Sequence, residues 1–167
     1  EYRHDHAQFA SEFGIQAVPA IESLKEFLPE QQLWPPGEQW EYHRAELKKL
    51  ERYVGPFEGF SSAEQFVEVS QRVQAFALQT AIEHYRRSKP KYSGAMFWQL
   101  NDPWPAISWS VIDYYRRPKL AYHALKDLYN PILVSFKYDL RRHEPGEIVP
   151  IEVWIVNDLL ESLDDCR

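Results

Sequence analysis

Glu12 is the carboxylate of this sequence whose position best suits catalysis. It stands in Ser11-Glu12-Phe13-Gly14, where a short apolar run gives way to a glycine turn. A carboxylate there can act as a nucleophile or exchange a proton, because the catalytic side chains of a (β/α)8 barrel emerge from the carboxyl ends of its strands. The competing interpretation is an acid that is merely exposed at a strand end. The sequence around Glu12 alone leaves both interpretations open.

A second run with chemical potential lies at the end of another predicted strand. Trp98-Gln99-Leu100-Asn101-Asp102-Pro103 places an indole in an apolar strand and polar side chains after it. An aromatic ring near a carboxylate suits the binding of a sugar, whose ring stacks on an aromatic face. A core tryptophan followed by an ordinary turn gives the same pattern.

Three other groups of residues are predicted to have no special chemistry. His4-Asp5-His6 contains possible metal ligands, but the trio has no further ligand at metal-binding spacing. His84 and His123 are lone histidines on helical patterns, which are more often packed or surface residues. Cys166 is the only cysteine, so an internal disulfide and a cysteine-based metal site are both excluded.

The elements that position Glu12 and Trp98 follow from hydrophobic spacing. The apolar run within 6–13 predicts a buried strand, and 94–100 predicts a strand that is buried on both faces. Helical patterns that end at Gly or Pro lie between and after these strands, at 21–28, 38–54, 61–88 and 118–130. This order of strands and helices is typical of α/β units with a parallel sheet.

The pattern at 61–88 is the strongest helix signal of the chain. Ser61 and Glu64 form a predicted capping box at its start. The face predicted to pack on the core consists of Phe66, Val69, Val73, Phe76, Ala77, Thr80 and His84.

Beyond Pro131 the hydrophobic period changes to two, which predicts an antiparallel sheet. Val134 and Phe136 alternate with polar residues, and 148–156 forms a second β-rich run after a turn at 144–146. Trp154 is predicted to lie in the core of this part. Two parallel strands cannot close a barrel and one antiparallel pair is marginal alone, so the end of one domain and the start of another are expected.

Composition and charge exclude several classes of protein. Of the 167 residues, 44% are hydrophobic and 26% are charged, which fits a packed domain and argues against disorder. A net charge of −6 without a long Lys/Arg cluster makes nucleic acid a poor partner. No apolar stretch approaches the roughly 18 residues that cross a bilayer, so no membrane partner is predicted. No export signal is recognised, and the compartment stays undetermined.

Two motifs resemble those of the β-mannosidases of glycoside hydrolase family 2. Phe9-Ala10-Ser11-Glu12-Phe13-Gly14-Ile15-Gln16 followed by Pro19 resembles their nucleophile strand. Met96-Phe97-Trp98-Gln99-Leu100-Asn101-Asp102-Pro103-Trp104-Pro105, with the Ser-Trp-Ser of 108–110, resembles their last barrel strand and the loop after it. The first motif is shared with β-galactosidases and β-glucuronidases, whereas the second is more specific to the mannosidase branch.

The resemblance continues through Arg117, Lys119 and Tyr122-His123 to 153–158, which looks like a strand of the sandwich domain that follows the barrel. It therefore implies an α/β fold in which 1–130 are the last βα units of a (β/α)8 TIM barrel. Residues 131–167 are then the beginning of an immunoglobulin-like β-sandwich.

The function that the resemblance implies is that of a retaining exo-glycosidase. Its substrate is terminal β-linked mannose, and it needs neither a metal nor an organic cofactor. Glu12 matches the nucleophile, and Trp98 matches part of the sugar-binding platform, while Asn101 and Asp102 are expected to shape the loop.

The acid/base partner in the family is the Glu of an Asn-Glu pair on an earlier strand, and no Asn-Glu occurs in this chain. The chain is therefore expected to be a piece of a longer polypeptide, with the missing N-terminal part as its partner, and to be inactive alone. Two alternatives remain. One is another family 2 exo-glycosidase, such as an exo-β-glucosaminidase or a β-galactosidase, and the other is a non-catalytic carbohydrate-binding fragment.

Overall fold

A computed structural model describes residues 2–6 and 8–163 of the chain. It is a mixed structure of helices and strands with two small sheets. The elements, in chain order, are β1 (Phe9–Phe13), α1 (Ile21–Phe27), α2 (Glu38–Tyr42), α3 (Leu47–Val54), α4 (Ala63–Arg87), β2 (Gly94–Phe97), α5 (Leu120–Leu128), β3 (Ile132–Lys137) and β4 (Glu152–Asn157). Short 3-10 helices lie at Tyr2–His4, Glu30–Gln32 and Phe57–Gly59.

Strands β1 and β2 pair in parallel, with α4 between them in the sequence. Ala10 pairs with Ala95 and Phe13 with Phe97, so three steps along β1 match two steps along β2. The extra residue forms a β-bulge at the end of β1. The prediction that β2 is buried on both faces is wrong, since Met96 is 55% exposed. Within the described residues β2 pairs with β1 alone, and no element packs over the side chain of Met96.

Helix α4 has the predicted length but a different start. Its N-cap is Ser62, whose hydroxyl oxygen accepts a hydrogen bond from the backbone N–H of Gln65. The side-chain Oε1 of Gln65 in turn accepts from the backbone N–H of Ser61, the residue before the N-cap, at 2.8 Å. Ser62 and Gln65 therefore hold the start of the helix in place of the predicted pair Ser61 and Glu64.

The face of α4 that is buried is rotated about the helix axis from the face that the spacing predicts. Its buried residues are Ala63, Phe66, Val67, Ser70, Gln71, Gln74, Leu78, Ala81, Ile82, Tyr85 and Arg86. Phe76, assigned to the core face from spacing, is 52% exposed. The helix is rotated because three polar side chains, Ser70, Gln71 and Gln74, point inward and bond to backbone groups of distant loops.

The single helix predicted over 38–54 is broken into α2 and α3. Arg44 has a φ of +73°, a left-handed conformation that ends α2. The N–H of Ala45 then donates to the carbonyl of Trp40 at 2.9 Å, which closes the turn. The Gln16 side chain bridges the break, because its amide donates to the carbonyl of Arg44 and accepts from the N–H of Glu46, both at 2.8 Å.

Strands β3 and β4 pair in antiparallel register, as the alternating pattern predicts. The buried residues of β3 are Leu133 and Ser135, whereas Val134 and Phe136 are exposed. Ser135 points inward because its hydroxyl accepts a hydrogen bond from Arg87 at 2.9 Å. The prediction that Trp154 is a core residue is wrong for the described structure. Its ring is 36% exposed and lies 5.7 Å from the Lys137 ammonium.

The main apolar cluster lies between α4, α5 and both sheets. Helix α5 buries the three residues that the spacing singles out, Ala121, Leu125 and Leu128, and it begins at Leu120 with Lys119 as N-cap rather than at Pro118. Leu133 and Val156 of the second sheet belong to the same cluster as the α4 residues. Arg86 joins α4 to α5 and to the second sheet, since it donates to the carbonyls of Leu128 and Pro131 and, at 3.0 Å, to the Asp158 carboxylate.

Candidate active site

Glu12 lies within the β-bulge at the carboxyl end of β1, next to the buried Phe13. The Glu12 side chain is exposed, whereas Phe13 packs edge-on against Tyr85 of α4, with 5.3 Å between ring centroids. Glu12 lines an open cavity of about 880 Å³, to which Arg52 of α3 and Phe76 of α4 also contribute. The carboxylate thus borders an open space, and Trp98 is not among the residues that line it.

Trp98 follows directly on β2 and lies at the same end of the sheet. Its backbone N–H donates to the carbonyl of Phe13 at 2.8 Å, so the two strand ends are tied together. The Trp98 carbonyl oxygen occupies the place that a Cβ on Gly14 would need. Glycine is therefore the residue that fits next to Glu12 and Phe13. The Trp98 side chain is 47% exposed and leaves its indole accessible.

Asp102 is used inside the loop that follows Trp98. Its carboxylate is buried and accepts hydrogen bonds from the hydroxyls of Ser108 and Ser110, both at 2.6 Å. The amide of Gln99 also donates to it at 3.3 Å. These contacts fold the loop back on itself, in agreement with the expected structural role of Asp102.

Lys119 and Gln74 are interior polar residues, and the sequence predicted burial for neither of them. The Lys119 ammonium is fully buried and donates to the carbonyls of Ala17 at 2.8 Å and Ser108 at 3.2 Å. Burial lowers its pKa to about 8, against the opposing effect of the Asp102 and Asp113 carboxylates. The family resemblance that continues through Lys119, beyond the second motif, was the one signal for it, since hydrophobic spacing treats charged residues as exposed.

Gln74 lies on α4 and contacts both loops that leave the strand ends. Its amide nitrogen lies 3.1 Å from the carbonyls of Ile15 and Trp109 and 3.3 Å from that of Ser110. A buried glutamine on the inward face of a long helix is invisible to apolar periodicity.

A second buried carboxylate, that of Asp113, joins the same loop to α1. It accepts hydrogen bonds from the Ser23 hydroxyl and, at 2.9 Å, from the backbone N–H of Arg117. The Arg117 guanidinium donates to the Ser23 hydroxyl at 3.0 Å. The loops after β1 and β2 thus form one polar-bonded unit around the strand ends.

Comparison with known proteins shows which enzymes this chain resembles. Beta-mannosidase B of Aspergillus niger is 29% identical over 165 residues, which cover 91% of this chain and 20% of that protein. The crystal structure of the β-D-mannosidase of Dictyoglomus thermophilum matches with a TM-score of 0.80 and 34% identity, over 96% of this chain and 19% of that one. The chain, called the segment from here on, is similar to part of a β-mannosidase.

The segment spans about a fifth of the length of the curated relatives it matches. The exo-chitosanase of Amycolatopsis orientalis shares its fold with a TM-score of 0.64, over 80% of this chain and 18% of that one, at 21% identity. No protein-family model matches the segment.

Within the His4-Asp5-His6 trio of the segment, Asp5 is used in packing, whereas both histidines are exposed. The Asp5 carboxylate accepts a hydrogen bond from the Tyr85 hydroxyl at 3.1 Å, and burial raises the pKa of that phenol. His84 contacts the carbonyl of Asp5 at 3.2 Å, and burial lowers the pKa of its imidazole. Within 2–6 and 8–163 no group of three or more His, Cys, Asp and Glu residues is arranged to hold a metal. Cys166 lies outside the described residues.

The helices of the segment do not suit a bilayer. Of those in the described part of the chain, none combines the length and the apolar character that a membrane span requires.

Proposed function

We propose that the segment is part of a retaining exo-glycosidase that hydrolyses terminal β-linked mannose. The observation that carries the proposal is the exposed Glu12 carboxylate in a bulge beside the end of the strand that leads to Trp98. The same chain is related to β-mannosidases over nearly its whole length. We call the longer polypeptide that this proposal requires the parent enzyme.

The proposed architecture explains why these two strand ends meet. Residues 1–130 are the last βα units of a TIM barrel, and 131–167 begin an immunoglobulin-like sandwich. The parallel pairing of β1 with β2 and the antiparallel pairing of β3 with β4 support this division. In a barrel the carboxyl ends of strands surround the active site, which suits the positions of Glu12 and Trp98.

Glu12 supplies the nucleophile in the proposed reaction. One of its oxygens attacks the anomeric carbon, the bond to the leaving oxygen breaks, and a mannosyl ester of Glu12 forms. A second carboxylate, about 5 Å away in retaining enzymes, protonates the leaving oxygen and then takes a proton from water. Attack of that water on the anomeric carbon releases mannose and regenerates the Glu12 carboxylate. We assign the second carboxylate to another part of the parent enzyme.

Covalent labelling tests the role of Glu12. A 2-deoxy-2-fluoro-β-mannosyl fluoride should trap the ester in the parent enzyme, and peptide mass spectrometry should find the label on Glu12. Glu12→Ala should lower kcat at least about a thousandfold, and azide should restore turnover by forming α-mannosyl azide. Glu22→Gln, at an exposed acid of α1, is the matched control and should keep wild-type turnover. A label on another residue would contradict the proposal.

Trp98 provides a stacking surface for the sugar ring in the same proposal. Trp98→Ala should lower kcat/KM for an aryl β-mannoside about ten- to hundredfold, and Trp98→Phe should retain part of the activity. Because the indole is half exposed, the melting temperature should change little. Unchanged kinetics of Trp98→Ala would leave Trp98 with a packing role alone.

A further inference from the structure

The Lys119 side chain connects the two loops that leave the strand ends. The loop after β1 supplies the Ala17 carbonyl, and the loop after β2 supplies the Ser108 carbonyl. These loops also touch directly, because the Ala17 N–H donates to the Ser108 carbonyl at 3.1 Å. The ammonium therefore sits where the two loops cross.

On the β1 side, the contact with Ala17 acts on a loop that is rigidly held. Ala17 lies five residues after Glu12, and the next residue, Val18, is bonded through both its backbone groups to α4. Its N–H donates to the Ser70 hydroxyl at 3.1 Å, and its carbonyl accepts from the Gln71 amide at 3.0 Å.

On the β2 side, a chain of hydrogen bonds runs from Lys119 to the neighbour of Trp98. The Lys119 backbone N–H donates to the Val111 carbonyl at 2.8 Å. The Val111 N–H donates in turn to the carbonyl of Gln99 at 3.0 Å, and Gln99 follows Trp98. The side chain and the backbone of one residue thus reach the loops of both strands.

Two carboxylates in the interior around Lys119 stabilise its ammonium charge. Asp102 and Asp113 are both buried, at 5% and 3% exposure, and their carboxylates act favourably on the Lys119 charge. An apolar side chain in its place would leave two carbonyl oxygens without this donor and two buried carboxylates without this cation. Burying the Lys119 ammonium costs desolvation free energy. Its presence here is therefore better explained by the placement of the two loops than by a gain in the stability of the fold.

We propose that Lys119 is a positioning residue, whose ammonium holds the loop after β1 against the loop after β2 and so sets the Glu12 carboxylate relative to the Trp98 indole. This inference rests on the proposed function of Glu12 and Trp98. Its physical basis is that a displacement of about 1 Å at a reacting group can lower a rate about a hundredfold.

Lys119→Met in the parent enzyme tests the inference, together with the double variant Lys119→Met/Asp102→Asn. The double variant removes a buried carboxylate along with the cation, and Asp102→Asn alone is measured beside it, because that change also removes one acceptor of the Ser108 and Ser110 hydroxyls. For an aryl β-mannoside we expect kcat per folded molecule to fall about ten- to hundredfold in both, with a smaller change in KM. Lys126→Met, at an exposed lysine of the adjacent helix α5, is the matched control and should behave as wild type.

Hydrogen exchange supplies a readout that does not depend on activity. Peptides over 15–18 and 108–112 should exchange faster in both Lys119 variants, because the Ala17 and Val111 amides lie at the loop crossing. Peptides over α3 should exchange at the wild-type rate.

The outcomes separate this inference from the proposed function. Wild-type kcat in a folded double variant, or unchanged loop exchange, would overturn the role of Lys119 while leaving Glu12 as nucleophile. Failure of both variants to fold would also overturn it, since Lys119 would then serve global stability. If wild-type parent enzyme does not cleave β-mannosides, the proposed function fails, and faster exchange would still support the loop contact.

Discussion

Gly14 illustrates how tightly the residues around Glu12 are packed. The Trp98 carbonyl oxygen lies where a Cβ would stand, and that oxygen belongs to backbone that cannot move as a side chain does. Because Gly14 has no side chain, the ends of β1 and β2 can approach each other closely.

Gly14→Ala should lower the free energy of unfolding by about 1–3 kcal/mol, because the new methyl group must push the Trp98 carbonyl away. Turnover by the parent enzyme should fall more than the loss of folded protein explains, since Trp98 moves with its carbonyl. Denaturant unfolding and steady-state kinetics measure the two effects. Gly59→Ala is the control, as a Cβ there meets no atom within 4 Å. Equal behaviour of the two variants would contradict the packing argument.

Single residues also mark how far the sequence predicts the site. Glu12 and Trp98 were singled out because each stands at the end of a local pattern that predicts a strand. Gln74 was missed, and no interior role was predicted for Lys119, because the partners of both are backbone carbonyls far along the chain, such as Ala17 for Lys119. A pattern of residue types carries no information about such carbonyls, which become available only when loops fold together.

At the scale of elements, the loop after β1 helps to determine where α2 ends and α3 begins. The Gln16 amide is buried and satisfies one carbonyl and one N–H at the break. Gln16 also belongs to the loop that follows Glu12, so the break links that loop to both helices.

Gln16→Leu should lower the free energy of unfolding by about 2–4 kcal/mol, because it leaves the Arg44 carbonyl and the Glu46 N–H without their partner. Chemical denaturation of the variant and of wild type measures the difference. Gln31→Leu, at an exposed glutamine, should change it by less than about 0.5 kcal/mol. A Gln16 variant as stable as the Gln31 variant would show that water replaces the lost hydrogen bonds.

The elements themselves were predicted with uneven success, for one physical reason. The length of α4 follows from local signals, a cap at its start and Lys-Pro after its end, and these operate without the rest of the fold. Its inward face and that of β3 depend on Ser70, Gln74 and Ser135, whose burial is stabilised by distant partners. Apolar spacing therefore predicts that an element exists better than it predicts its rotation.

At the scale of the whole molecule, we predict that the 167-residue chain alone does not hydrolyse β-mannosides. Without a proton donor the sugar's leaving group departs as a poor alkoxide, and the wide cavity beside Glu12 does not orient a substrate. Nitrophenol release from a nitrophenyl β-mannoside should equal the buffer rate, with the parent enzyme as positive control. Release that is abolished by Glu12→Gln would show that another carboxylate of this chain acts as the acid.

The contacts of Arg86 determine how the second sheet can move relative to α4. Its guanidinium is buried and bonds the end of α5, the residue that precedes β3 and the residue that follows β4. The junction near residue 131 is rigid, because rotation there would separate the buried Arg86 guanidinium from the Asp158 carboxylate. It would also remove Leu133 and Val156 from the apolar cluster that they share with α4 and α5. The second sheet is then carried as a rigid extension of α4.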